Sequence, residues 1–360
     1  MIHSLGFIHM RKFAFILFLW NAALITLDAE ETTQPTNTTR PSIAEVKSLK
    51  TPPATPIFSP DKNHIWNKLH RALFVRTDKN GRQYGHNSVD PLLWPATSEF
   101  LLRGESHRNA IALLDEFITH GGEQLIHSPV KRAVLHHDLW AVFDWTANAL
   151  NPLPFGKANL NQTETQGTRE ARKALRQRLV KVMSRLALTD REIATLPDNY
   201  ATAVSSTKFA AQYTEKNPGR PFLPEAILDP DGAWICVRGA LSGPSAPVHM
   251  RYYRGRSPFL VCLKLPGGRQ ATLNYLNRLN THCSTSQQRT DSDKNMPIFP
   301  AGTAVALIRQ MATINRAGKI VVTPLVQTVQ LRVYREVGEH IKDHKNSQAV
   351  FKFSLNRSAL

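Results

Sequence analysis

The chain has 360 residues, 42% of them hydrophobic, and its 45 Lys+Arg against 28 Asp+Glu give a formal net charge of +17. This is the balance of a globular protein whose surface attracts polyanions. It has no internal repeat at solenoid or propeller periods and no C-x-x-C-H motif, which excludes those architectures and covalent haem attachment.

Arg11 and Lys12 precede an uncharged, mostly apolar stretch over residues 13–27, FAFILFLWNAALITL. At about 1.5 Å per helical residue it is too short to cross a roughly 30 Å hydrocarbon core comfortably, so a secretory signal over residues 1–29 is expected. Leu27-Asp28-Ala29 matches a cleavage site poorly, and an uncleaved membrane anchor is the alternative. Residues 30–62 are dense in Thr and Pro and poor in large apolar groups, the composition of a disordered tether. About 300 residues remain, enough for one large domain or two ordinary ones.

Residues 63–215 carry helical patterns. IWNKLHRALFVR is the first helix. Ser106 caps a second that runs to His120, with Ala110, Leu113, Leu114 and Phe117 on one face and Gly121-Gly122 as its stop. Ser128-Pro129 opens the helix that contains VLHHDLWAVFDW. Its apolar residues wrap most of the circumference, so His136, His137, Asp138 and Asp144 are expected to be buried and to need partners from other elements. The candidates are His70, His107, Glu116, His120 and the arginines of the helix that starts at Thr168. Thr168 starts a further helix with Ala171, Leu175, Leu179, Val182 and Leu186 as its apolar stripe, and Thr189 to Glu192 has the capping-box pattern.

Residues 216–230 form a connector, and residues 231–360 carry strand patterns. AWICVRGA, VHMRYY, FLVCLKL, TAVALIRQMATI, IVVTPLVQTVQLRVY and AVFKFSL read as strands, and ATLNYLNRL inserts one helix. Asn315 to Lys319 is the expected hairpin turn. Val329, Leu331 and Val333 alternate with Thr328, Gln330 and Arg332, which predicts one buried and one wet face. The fold class is therefore α+β, a helical bundle followed by a mainly antiparallel sheet with one inserted helix. PAGTAVALIRQM, LVQTVQLRVYRE and GRSPFLVCLKLPGGRQATL, with WNKLHRALFVR and DPLLWP, resemble segments of predicted exported proteins of planctomycete-type bacteria. The resemblance implies an extracytoplasmic bacterial protein and transfers no functional residue.

Two sets of side chains are candidate sites. Arg169, Arg172, Lys173, Arg176, Lys181 and Arg185 concentrate positive charge on one helix, suited to an anionic envelope polymer or an acidic protein partner. Glu116 and His120, four apart, are helix-surface neighbours that with His136 and His137 offer mixed N/O donors for a metal ion or non-covalent haem. No cofactor is expected under the binding reading; an extracytoplasmic enzyme or metal/haem protein using the His-rich half is the alternative. Hydrolase and phosphate-loop motifs are absent from the sequence. Nucleic acid is not the expected partner outside the cytoplasm, and membrane contact is expected only through an uncleaved N-terminal segment. In an oxidising compartment Cys236 and Cys262 form the preferred bridge, if their strands are neighbours.

Overall fold

The computed structural model describes residues 58–77, 80–81, 83–85, 100–147, 165–206, 208–225, 227–237, 246, 249, 253–285, 296–338 and 347–357. The expected signal, and the expected tether up to residue 57, lie outside the described residues. The protein is α+β and divides into two compact units. Among the described residues no helix is long and apolar enough to cross a membrane.

The helical unit holds the described part of Thr32–Leu196 together with Thr313–Val321 and Asn356–Leu360. Its helices are α1 (Ile65–Phe74), α2 (Gly104–Thr119), α3 (Pro129–Trp145), α4 (Gln166–Leu186) and the short α5 (Asp190–Ala194). Between α1 and α2 lies a two-residue ribbon of β1 (Arg76–Thr77) and β2 (Gln83–Tyr84). Residues 58–61, expected in the tether, pack onto α1. Phe58 stacks on Trp66 at 3.8 Å, and buried Asn67 bonds the main chain of Phe58, Ser59 and Asp61. α2 starts at Gly104, two residues before the expected cap, and α4 is capped by Thr165 rather than Thr168. The Ser128 cap on α3 and the Thr189–Glu192 capping box stand as the local residues dictate. α4 packs against both α2 and α3, and α1 packs on α2. Twelve of the seventeen residues of α3 are buried, so no stripe of the helix is left to water.

The sheet unit holds Pro197–Ala312 and Val322–Leu355, so residues 197–215 belong with the sheet, although their helical pattern suggests otherwise. It contains α6 (Asn199–Ser205), β3 (Ile235–Val237), β4 (Phe259–Lys264), α7 (Gly268–Thr285), β5 (Ala304–Ile314), β6 (Ile320–Tyr334) and β7 (Gln348–Ser354). The strands follow chain order, β3-β4-β5-β6-β7, and β3–β4, β4–β5 and β6–β7 pair antiparallel. In VHMRYY the described residues His249 and Tyr253 are helical, not extended.

Apolar clusters pack on both faces of the sheet. Cys262, Ala306, Ile308, Val329, Leu331 and Val333 pack with Tyr200, Phe222, Leu223 and Trp234 on one side. Val261, Leu263, Val305 and Leu307 pack with Tyr275 and Leu279 of α7 on the other. On β6 the expected wet face holds at Thr328 and Gln330, which are half-exposed, and fails at Arg332, which is fully buried and donates to Gln348, with burial lowering its pKa. Proline cannot donate to a ladder, yet Pro324 sits within β6. Near it, the side-chain amide of Asn199 takes both main-chain polar groups of Val326, accepting from its N–H at 2.7 Å and donating to its carbonyl at 2.8 Å.

Candidate anion-binding groove

The apolar stripe of α4 fixes where its charges go. Leu175, Leu179, Val182, Met183 and Leu186 are buried against the neighbouring helices. At about 100° per residue, Arg178 and Arg185 fall on one flank of that stripe and Arg172 and Arg176 on the other, with Arg169 and Lys173 beyond them. The first flank meets acids. Arg178 donates to Asp115 of α2 at 2.8 Å, and Arg185 donates to the Ile118 carbonyl with Glu123 at 3.7 Å. Arg185, expected among the anion-binding residues, is thus engaged away from them.

The second flank and the outer face of α4 form a groove of about 690 Å³ lined by Arg169, Arg172, Lys173, Arg176, Gln177, Val180 and Lys181 of α4, with Phe143 of α3. Five of these residues are cationic and none is acidic. The Arg176 guanidinium lies 3.5 Å over the Phe143 ring and donates to the Phe143 carbonyl, so stacking and a hydrogen bond hold it in one orientation. Arg172 and Arg176 are half-buried, whereas Arg169, Lys173 and Lys181 reach into solvent. Concentrated positive charge above a partly apolar floor raises the local concentration of anions. Phe143 and Val180 complete the groove. The cations of α4 are evident in the sequence as one set, but no local signal brings Phe143 to them.

The polar groups of α3 find partners that sequence reasoning missed. His136 Nδ1 is 3.1 Å from the Thr313 hydroxyl, and burial pushes this imidazole down to about 4, so it is neutral near pH 7. Asp138 accepts two bonds from Arg357, at 2.7 and 3.1 Å, with both side chains almost fully buried. His137 and Asp144 are buried on the same helix. The other expected partners are engaged locally. His70 Nε2 is 2.9 Å from the Gly85 carbonyl and His107 Nδ1 is 2.8 Å from that of Leu101. Glu116 pairs with Lys68 at 2.8 Å, and the exposed His120 contacts the Glu116 carbonyl. Glu116 and His120 therefore lie at the surface while His136 and His137 are enclosed, so these four are not brought together. Among the described residues no group of three or more His, Cys, Asp or Glu is placed to hold a metal ion.

In the sheet unit Cys236 and Cys262 are directly opposed on β3 and β4, with Cα atoms 4.0 Å apart, and are joined as a disulfide. The chain matches no family model, and neither a curated protein nor a solved structure matches it.

Proposed function

We propose that the protein is a binding protein of the cell envelope that takes an anionic ligand in the α4 groove. One observation carries this reading: five cations share one groove free of acidic lining, while the arginines on the opposite flank of the same helix are matched to Asp115 and Glu123. A helix needing charge only for solubility would have no reason to segregate it in this way. The envelope placement rests on residues 11–27, a basic pair followed by an apolar stretch of export length.

The test is retention of the full chain on a heparin column as salt is raised. Replacing Arg169, Lys173 and Lys181 with Gln is expected to move elution to distinctly lower salt. The same loss of charge at the exposed Lys208, Lys216 and Lys352 is expected to move it much less. Equal shifts for the two triple variants would reduce the groove to general surface charge. Finding the unprocessed chain in the cytosolic fraction of its native cell would remove the envelope placement and leave the groove standing.

A further inference from the structure

We infer that the ligand of the α4 groove is a linear phosphate polymer lying along the helix, an assignment that rests on the groove being the anion site proposed above. The first and last of the five cations, Arg169 and Lys181, are twelve residues apart, about 18 Å at 1.5 Å per residue. The five charges are therefore spaced about 4.5 Å apart on average along the axis, at uneven intervals of about 1.5–7.5 Å. A compact mono- or dianion would meet one or two of these and leave the others repelling one another. An extended acidic peptide turns alternate side chains to opposite faces, so its same-side carboxylates recur about every 7 Å and only about three fit the groove. A phosphate chain carries charge on every unit, with oxygens on all sides.

The donor chemistry agrees. Arg172 and Arg176 lie one turn apart on the groove wall, and guanidinium N–H groups suit tetrahedral phosphate oxygens. Stacking on Phe143 orders Arg176 in advance, which reduces the entropy lost on binding. Lys173 and Lys181 are exposed point charges toward the solvent side, able to follow a chain whose phosphates do not sit at fixed positions.

The experiment is calorimetric titration of the full chain with pyrophosphate, triphosphate, inorganic polyphosphate long enough to span the helix, and polyglutamate of matched charge. Affinity is expected to rise from pyrophosphate to the long polyphosphate and then level off. Long-chain affinity is expected to fall on the order of a hundredfold between about 50 and 200 mM salt, as release of counterions from five contacts requires. Polyglutamate is expected to bind at least about tenfold more weakly, in line with its fewer matched charges. Lys173→Gln with Lys181→Gln, both exposed and harmless to folding, is expected to lower the salt slope by about 1.5–2. Pyrophosphate binding as tightly as the long chain would make the groove a compact anion site, and polyglutamate matching polyphosphate would make the partner an acidic protein. Either result overturns the linear-phosphate assignment and leaves anion binding intact. Failure of every anion to bind overturns both.

Discussion

Removing the Arg357 guanidinium strands a carboxylate in the helical unit. Asp138 is 1% exposed and accepts both of its bonds from Arg357, so in Arg357→Met it keeps its desolvation and loses its counter-charge. Loss of one partner of a buried ion pair costs about 3–5 kcal/mol, a factor of roughly 10²–10³ or more in the folded-to-unfolded ratio. Asp138→Asn in the same background removes the stranded charge, so the double variant is expected to recover much of the loss. Urea unfolding of the disulfide-intact protein would be followed by tryptophan fluorescence, to which Trp66, Trp140 and Trp145 contribute from the helical unit. A loss below about 0.5 kcal/mol for Arg357→Met, or single-variant losses that simply add, would refute the claim that the two charges are buried and coupled.

His136 is neutral in the fold because burial holds it near 4, while the unfolded chain protonates it near 6.5. Stability is therefore expected to be full above pH 6.5 and to fall as pH drops toward 4, by about 2 kcal/mol between pH 6.5 and 5. His136→Asn, which keeps a polar atom toward Thr313, is expected to flatten that slope in denaturation curves across the same window. Asn199→Ala leaves both main-chain groups of Val326 unsatisfied and is expected to lower stability by about 2–3 kcal/mol, whereas Asn199→Asp, which keeps the acceptor alone, loses about half of that. A Cβ on Gly122 would come within 2.5 Å of the Phe117 ring, which is fully enclosed. Gly122→Ala is expected to cost about 1–3 kcal/mol in thermal melts, and Gly167→Ala, which meets nothing within 4 Å, is expected to stabilise by up to about 1 kcal/mol.

What was legible in the sequence is local. The Ser128-Pro129 start, the Thr189 capping box and the Asn315 to Lys319 turn act over three or four residues, and each stands where its chemistry puts it. The burial of α3 also followed from apolar side chains that wrap most of its circumference. The partners of its polar groups did not, because Thr313 lies 177 positions from His136 and Arg357 lies 219 from Asp138. No periodicity reports such a pairing. Arg332 misled for the opposite reason: an alternating strand reads as wet along the whole of its polar side, yet Arg332 is fully buried while Thr328 and Gln330 on the same side are half-exposed. The groove sat between these extremes. Its cations were visible in the sequence, but Arg185 could be set apart only once Glu123 and the Ile118 carbonyl were seen to engage it.

The span between Asp138 and Arg357 also sets an order of events during synthesis. The ribosome releases α3 more than 200 residues before the arginine that neutralises its carboxylate, an interval of about 10–40 s at ordinary elongation rates. The first-made half thus cannot reach its final packing until residue 357 has left the ribosome, and a nascent chain stalled before that point holds Asp138 without its counter-charge.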